Sequence, residues 1–415
     1  MTRLNPFERL RTLPHPVLLE SGGNFDADGR RTIVAADPFA VLTVRGGVAT
    51  VTRRGQGATR CLAASWDALR DFVDAHTARA AIVIGMTTYE AGLEIEGIRS
   101  RHEQSRFLPE VHFAAYDDFE ETPVAHRTCA KSSHDSPSPR GIPHGLPRII
   151  SSNFDRDGYL SAVERVLAYE RAGDIYQANL SQRFEAPFRG DPFRLFDALQ
   201  TVNPAPFAAY LETPEFAVAC NSPERLVSGH IRSREIESRP IKGTARDGET
   251  LVASAKDRAE HLMIVDLVRN DLGAVAETGS VVVGDFARIV QYPTLWHSVS
   301  TVRARMREGT GAVEALRALS PGGSVTGCPK VRAMEIIDEL ERAPRGVYCG
   351  SIGYIKHTGE FDFNIAIRTA VVAGGRAHYA AGGAVVADSD PAAEYDETLL
   401  KAVAFFDAIN SFYPR

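Results

Sequence analysis

The stretch KDRAEHLMIVDLVRNDL, residues 256–272, predicts a long helix, because its apolar positions recur at helical spacing. The helix is expected to be largely buried through its apolar side chains, Leu262, Ile264, Val265 and Val268. A helix this apolar needs sheets or other helices around it. The rest of the chain therefore has to supply a sizeable core.

Strand-like runs and helices surround that helix without a regular βαβ cadence. Strands are predicted at Pro16–Glu20, Thr32–Ala36, Val41–Val44, Ala49–Thr52, Ala81–Met86, Tyr176–Phe184, Phe207–Thr213, Phe216–Cys220, Glu235–Ile241, Gly350–Lys356, Asp362–Val372 and Arg376–Ala381. Further helices are predicted at Trp66–His76, Asp155–Ala172, Pro329–Arg342 and Pro391–Asn410. The pattern indicates a mixed α/β (α+β) fold with largely antiparallel sheets.

The composition of residues 126–148 is rich in Ser, Pro, His and Gly, which is typical of an exposed connection. We expect a β-rich N-terminal subdomain at 1–125 and a catalytic region at 149–415.

Charge and hydropathy exclude several classes of protein. The net charge is −6 and basic residues form no long run, which argues against nucleic-acid binding. The longest apolar run, residues 80–86, is too short to cross a membrane. The N-terminus shows no signal peptide, and the five cysteines are widely spaced, so we expect reduced thiols and a cytoplasmic location.

Two helices carry acidic residues on one face. Asp257 and Glu260 share a face of the first helix, while Glu394, Glu397 and Lys401 share a face of the last one. Two such helices could meet around Mg²⁺, which prefers carboxylate oxygens. The alternatives are an acidic first turn favoured by the helix dipole and an ordinary surface pair of Glu397 with Lys401.

Two glycine-rich segments and one lysine are further candidates. The loop at 322–330 leads into a helix, and Gly382 and Gly383 end a strand, so both could bind an anion through backbone N–H groups; a plain tight turn is the alternative for the loop. Lys242, in Pro-Ile-Lys-Gly-Thr, is either a solvent-exposed bystander or a desolvated nucleophile.

Together these segments resemble the chorismate-utilising enzymes, which include anthranilate, aminodeoxychorismate, isochorismate and salicylate synthases. The likeness extends over about residues 174–401. It runs through GDIYQANL (173–180), SPER (222–225), PIKGT (240–244), AEHLMIVD (259–266), RND (269–271), YPTLWH (292–297), 321–330, DFNIAIR (362–368) and 394–401. The resemblance implies two stacked, largely antiparallel sheets flanked by helices.

The resemblance also implies roles for individual residues. Mg²⁺ would be bound by Glu260 and Glu397 with Asp257 and Glu394 nearby, and it would hold the ring carboxylate of chorismate. Other residues implied to contact the substrate are Gly382, Gly383, Lys401, Thr326, Tyr348 and Arg368, the last two at the enolpyruvyl carboxylate. Glu224 matches the general acid for the C4 hydroxyl, and His297 matches the active-site histidine.

Two positions distinguish members of this family. Gln177 stands where a lysine activates water in isochorismate and salicylate synthases, which argues against attack by water. Lys242 stands where anthranilate synthases typically carry alanine and many aminodeoxychorismate synthases carry a lysine nucleophile. The resemblance thus implies 4-amino-4-deoxychorismate as product. Anthranilate formation, a non-catalytic chorismate-binding subunit and a phosphate-binding protein are the alternatives.

The resemblance implies a partner as well. The chain has no Gly-x-Cys-x-Gly glutaminase motif, so ammonia is expected from a separate glutamine amidotransferase subunit in a heterodimer. Residues 18–21, LLES, resemble the tryptophan-site motif of anthranilate synthases, and a strand end is the alternative. Cys328 and Ala384 depart from the common pattern, where alanine and glycine are frequent.

Overall fold

The computed structural model describes residues 6–21, 31–103, 107–123, 146–245, 248–249, 255–291 and 296–413. Its α-helices in these ranges are α1 Pro6–Leu10, α2 Ser65–His76, α3 Tyr89–Ile95, α4 Arg156–Ala172, α5 Pro192–Val202, α6 Ala255–Gly273, α7 Ala312–Leu319, α8 Lys330–Leu340 and α9 Pro391–Ser411. Local sequence sets their ends. Asp155 caps α4 through the amide of Gly158, and Asp390 caps α9 through the amide of Ala393.

Antiparallel strands make up the rest of the regular structure. They are β1 Val17–Glu20, β2 Arg31–Ala35, β3 Ala40–Arg45, β4 Val48–Arg53, β5 Ala58–Leu62, β6 Ile82–Thr87, β7 Val111–Tyr116, β8 Glu120–Pro123, β9 Ser151–Ser152, β10 Gln177–Pro187, β11 Phe207–Glu212, β12 Phe216–Ser222, β13 Arg225–His230, β14 Glu235–Arg239, β15 Ile241–Ala245, β16 Val282–Val283, β17 Arg288–Gln291, β18 Trp296–Val299, β19 Val302–Arg305, β20 Gly327–Cys328, β21 Ser351–Lys356, β22 Glu360–Ile365, β23 Thr369–Ala373 and β24 Arg376–Val385.

These strands form two large sheets and one small sheet. The first sheet has ten strands, with β9 beside β10 and the others in the order β20-β10-β24-β23-β12-β11-β1-β2-β8. The second has eleven, in the order β16-β19-β14-β13-β22-β21-β6-β7-β3-β4-β5, and β15, β18 and β17 form the third. The predicted mixed α/β fold with antiparallel sheets is confirmed.

Strands from both sides of the predicted connection share both large sheets. The pairing of β1 with β11 joins the N-terminal region to the first sheet, and that of β6 with β21 joins it to the second. Residues 124–145, most of that connection, lie outside the described residues. The division into regions 1–125 and 149–415 stays a prediction.

The two large sheets pack face to face over an apolar layer. Val218 and Val371 of the first sheet and Ile84 and Ile352 of the second belong to this layer, and each is at least nine-tenths buried. Helices α5 and α9 cover the other face of the first sheet. None of the helices in the described residues is long and apolar enough to span a membrane.

Helix α6 is buried along one side, as its sequence predicts, with Ile264, Val265 and Val268 in the core. The expectation for Leu262 was wrong, because this side chain is 59% exposed. Leu262 lies two positions before Ile264, so the helical rotation of about 200° turns it away from the buried side.

The predicted strand Asp362–Val372 was wrong as a single element. It is two strands, β22 in the second sheet and β23 in the first, and the chain crosses between the sheets at 366–368. Arg368 adopts φ 51°, which no strand residue can keep. The predicted strand Glu235–Ile241 is divided in the same way, since β14 ends at Arg239 and Ile241 begins β15 of the small sheet.

Candidate active site

Two crossings of the chain between the large sheets lie side by side. One joins β12 to β13 and carries Glu224, and the other joins β22 to β23 and carries Arg368. The amide of Ile365 donates to the Glu224 carbonyl at 3.0 Å, and the amide of Asn221 donates to the Arg368 carbonyl at 3.1 Å. These bonds place Glu224 and Arg368 together although 144 positions separate them.

Glu224 is almost completely buried, with 4% of the residue exposed. The amide of Ile241 donates to its carboxylate at 3.3 Å. Burial raises the pKa of Glu224 to about 7, although the Ser324 hydroxyl, the Ile241 amide and the charge of Lys242 all favour the ionised form. A carboxyl group that keeps its proton near neutral pH has the property that a general acid requires.

Lys242 lies on β15, in the three-stranded sheet that packs against α6. Its Nζ is 2.7 Å from Oε2 of Glu260, and the two side chains are only 19% and 13% exposed. The positive charge of Lys242 also opposes the rise that burial causes in the pKa values of Glu224 and Glu394. Lys242 is therefore a partly desolvated amine between the candidate acid and the candidate metal ligands, and the predicted solvent-exposed alternative does not describe it.

The second acidic helix, α9, faces the end of β24. Lys401 Nζ is 2.6 Å from Oε1 of Glu397 and donates to the carbonyl of Gly382 at 2.7 Å. A Cβ atom on Gly383 would lie 2.9 Å from Oε2 of Glu394 and 3.3 Å from Oε1 of Glu397. Glycine at 383 is thus what lets both carboxylates approach the strand.

The carboxylate of Glu394 has one satisfied and one unsatisfied oxygen. The Ser389 hydroxyl donates to Oε1 at 2.6 Å, while Oε2 is buried and has no hydrogen-bond partner. Burial raises the pKa of Glu394, the neighbouring charge of Glu397 raises it further, and Ser389 and the lysines oppose the rise. A buried carboxylate oxygen without a partner suits a cation.

The predicted metal ligands come from two sides. Glu394 and Glu397 lie together on α9, and Glu260 lies on α6 beside Lys242. Among the described residues no three acidic, histidine or cysteine side chains converge closely enough to hold an ion. Asp257 belongs to α6, but its side chain lies outside what the structure describes. The ligand set stays a prediction.

Tyr348 and Arg368 lie on hydrogen-bonded segments. The amide of Cys349, next to Tyr348, donates to the Ala366 carbonyl at 3.0 Å, and the amide of Ala366 donates to the Gly350 carbonyl at 2.8 Å. Within the part of the chain that the structure describes, Arg368 forms no ion pair, so its planar guanidinium can accept a carboxylate ligand.

His297 is buried on β18, opposite Thr244 of β15. Burial and the charge of Arg368 lower the pKa of His297 to about 4, against a hydrogen bond to the backbone of Gly243. The imidazole is therefore neutral near pH 7. Thr326 is also buried, but its hydroxyl donates to the Gly322 carbonyl at 3.0 Å inside its own loop. Its contact with substrate stays a prediction.

Sequence reasoning missed a buried ion pair behind the site. Arg345 and Glu341 are 2.7 Å apart with side chains 2% and 4% exposed. Arg345 also donates to the carbonyls of Val325, at 2.8 Å, and Asn179, and so ties the glycine-rich loop to β10. The spacing i, i+4 was visible, but nothing marked this pair as buried among many exposed pairs of the same spacing.

The LLES motif borders a cavity of about 960 Å³ between strands of the two large sheets. Leu19, Glu20 and Ser21 line it together with Arg225 and Asp362. The Ser21 hydroxyl is buried and has no hydrogen-bond partner among the described residues. Tryptophan binding in this cavity stays a prediction.

The arrangement combines a buried carboxylic acid, a desolvated amine, paired acidic helices and a free guanidinium, a set suited to a small dianionic substrate. Residues 16–407 match the family model described as chorismate binding enzyme, and the chain belongs to this family.

Relatives of the chain include aminodeoxychorismate synthases and anthranilate synthases. The chain is 37% identical to aminodeoxychorismate synthase component 1 of Klebsiella aerogenes over 97% of this chain and 94% of that protein. It is 38% identical to an anthranilate synthase component 1 of Haloarcula marismortui over 80% of this chain and 76% of that protein. The crystal structure of anthranilate synthase component I from Streptococcus pneumoniae TIGR4 has a TM-score of 0.75 at 28% identity, covering 91% of this chain and 92% of that chain.

Proposed function

We propose that this chain converts chorismate and ammonia to 4-amino-4-deoxychorismate, with Lys242 as the nucleophile and Glu224 as the general acid. The observation that carries the proposal is the position of the Lys242 amine, which is largely buried between Glu224 and Glu260. The Klebsiella relative supports the same product, because its match extends over almost the whole chain.

Lys242 and Glu224 would take part in each step of this reaction. Lys242 first gives up its ammonium proton to solvent. Its amine then forms a bond to ring carbon C2, the two ring double bonds shift, and the C4–O bond breaks as Glu224 gives its proton to the departing hydroxyl, which leaves as water. Ammonia then forms a bond to C4, the double bonds shift back, the C2–N bond to Lys242 breaks, and the proton that the new C4 nitrogen releases returns to Glu224. Covalent catalysis of this kind replaces one difficult displacement by two easier ones.

Binding is assigned to the charged groups around the amine. Arg368 and Tyr348 would hold the enolpyruvyl carboxylate, and Lys401 with the backbone at Gly382 would hold the ring carboxylate. Neutral His297 would orient the ring through hydrogen bonds.

The acidic side of the site has the donor chemistry that magnesium prefers. The donors are carboxylate oxygens only, which Mg²⁺ prefers, and Oε2 of Glu394 is buried without a partner. Glu260 and Glu397, with Glu394 beside them, would hold the ion, which would neutralise the ring carboxylate of the substrate. Asp257 stays the fourth candidate.

The ammonia would come from a separate glutamine amidotransferase subunit, which agrees with the name "component 1" of the Klebsiella relative. We propose that this pair of subunits acts in the cytoplasm. Its product would be used to make para-aminobenzoate for folate synthesis. Copurification with a glutaminase, and glutamine-dependent turnover by that complex, would support the assembly.

A product assay tests the reaction. Chorismate, Mg²⁺ and an ammonium salt are incubated with the chain, and the products are separated by chromatography while pyruvate is measured with lactate dehydrogenase. 4-Amino-4-deoxychorismate without pyruvate is expected. Anthranilate with an equal amount of pyruvate would replace the proposal by the anthranilate synthase reaction, and the absence of any turnover would favour a non-catalytic subunit.

Two variants test the nucleophile. Lys242→Ala is expected to lose most of the amination rate. Lys356→Ala is a control, because Lys356 of the second sheet is a lysine paired with other carboxylates, those of Glu360 on the same sheet and Glu121 on the first sheet. Trapping of the wild-type enzyme during turnover, followed by mass spectrometry, is expected to find a chorismate-derived adduct on Lys242. An unchanged rate in Lys242→Ala would remove its covalent role.

A further inference from the structure

On each of the two acidic helices, α6 and α9, one glutamate forms an ion pair with a lysine. Lys242 Nζ is 2.7 Å from Glu260 and Lys401 Nζ is 2.6 Å from Glu397. The two pairs differ in their surroundings, since Lys242 and Glu260 are 19% and 13% exposed while Lys401 and Glu397 are 41% and 46% exposed. We call Lys242–Glu260 the inner pair, and solvent screens its charges less than those of Lys401 and Glu397.

The inner pair joins two assigned roles. Glu260 is a proposed ligand of the metal, and Lys242 is the proposed nucleophile. In this structure the Lys242 ammonium forms an ion pair with Glu260, the carboxylate that the metal would need. The positive charge of Lys242 also favours the ionised form of Glu394. Mg²⁺ binds carboxylate oxygens at about 2.0–2.1 Å, so a divalent ion on Oε2 of Glu260 and an ammonium 2.7 Å from that oxygen would repel each other at short range.

We propose that Lys242 is the internal counter-ion of the metal site, and that metal binding to Glu260 displaces the Lys242 amine toward the substrate. The two cations compete for one carboxylate. Loading of the metal thus comes before the amine is free to attack, and an enzyme without metal keeps its nucleophile in an ion pair. The inference rests on the proposed metal site and on the proposed role of Lys242.

Lys401 provides the contrast within the same site. It has a second partner, the carbonyl of Gly382 at 2.7 Å, and it can keep that hydrogen bond when a metal approaches Glu397. Lys242 has a different task, because its amine has to leave the carboxylate and reach the substrate. The competition is accordingly assigned to Lys242 alone.

Metal affinity without substrate tests the competition. Mn²⁺ is titrated into the full chain and its binding is followed by electron paramagnetic resonance, for wild type, Lys242→Met, Lys356→Met and Glu260→Gln. Lys242→Met is expected to bind Mn²⁺ at least tenfold more tightly than wild type. Lys356→Met, with the same loss of charge in a different ion pair, is expected to match wild type, and Glu260→Gln is expected to bind Mn²⁺ weakly.

The outcomes separate the possible failures. Equal or weaker Mn²⁺ binding by Lys242→Met overturns the competition while leaving the metal site in place. The absence of Mn²⁺ binding by every variant overturns both the metal site and this inference. The proposed function fails independently of these affinities if the product assay yields anthranilate.

Displacement of the amine can be observed directly. Lysines are methylated with ¹³C-formaldehyde, and the Lys242 signal is assigned by its loss in Lys242→Met. Addition of Mg²⁺ is expected to shift the Lys242 signal and leave that of Lys356 in place. A Lys242 signal that Mg²⁺ does not move, at a concentration where Mn²⁺ binding is saturated, overturns the displacement.

Discussion

The replacement of Glu224 by glutamine should stabilise the folded chain at alkaline pH. Burial raises the pKa of Glu224 from its ordinary value of 4.5 to about 7, while the unfolded chain keeps the ordinary value. Between these two values the folded state binds more protons than the unfolded state, so its free energy of unfolding falls as the pH rises. Below pH 4.5 the carboxyl is protonated in both states and contributes no pH dependence.

The size of the effect follows from the two pKa values. At about 1.4 kcal/mol per pH unit, the difference between 4.5 and about 7 corresponds to about 3 kcal/mol of lost stability above pH 7. Glutamine has the shape of the protonated carboxyl and no charge, so Glu224→Gln should remove this loss. The variant is expected to gain about 3 kcal/mol over wild type at pH 8 relative to their difference at pH 4.5.

Urea denaturation without metal measures this gain, with both proteins unfolded at pH 4.5 and at pH 8. A difference between Glu224→Gln and wild type that is the same at both pH values would refute the assigned pKa. The activity of the wild type gives a second measurement. Because the acid must carry its proton, kcat/KM should decrease as the pH rises through about 7.

Three other substitutions test the surroundings of the site. Arg345→Met should destabilise the fold by about 3–5 kcal/mol in urea denaturation, because it leaves the buried Glu341 charge unpaired. Gly383→Ala should raise the Mg²⁺ concentration for half-maximal activity about tenfold, since its Cβ would lie 2.9 Å from Oε2 of Glu394; an unchanged Mg²⁺ dependence would contradict the assignment. Arg368→Lys should raise the KM for chorismate at least tenfold with less change in kcat, because an ammonium cannot bind a carboxylate with two parallel bonds.

The sequence predicted most elements of the fold because their signals are local. Asp155 and Asp390 mark helix starts by capping, and alternating or apolar runs mark strands. The crossing at 366–368 was not predictable, because residues 362–372 are rich in residues typical of strands and have neither glycine nor proline at the turn. Short helices such as α3 and α7 were missed for a related reason, since eight residues or fewer give little periodicity.

The site was predicted through resemblance more than through spacing. Residues of one helix face can be read from the chain, but the approach of Lys242 to Glu260 depends on how the small sheet packs against α6. The neighbourhood of Glu224 and Arg368 depends on two crossings far apart in the chain. Such long-range contacts carry no local signature. The burial of the Arg345–Glu341 pair could not be predicted for the same reason.

The three-stranded sheet is a separate support for the reactive amine. Its strands β15, β18 and β17 pair only with one another in the described chain, whereas Glu224, Arg368 and Gly383 are set by the two large sheets. A change of side chain at position 242 therefore leaves the backbone that carries Arg368 and Gly383 in place. The proposed binding of the enolpyruvyl carboxylate by Arg368 can accordingly stay the same while the residue at position 242 changes.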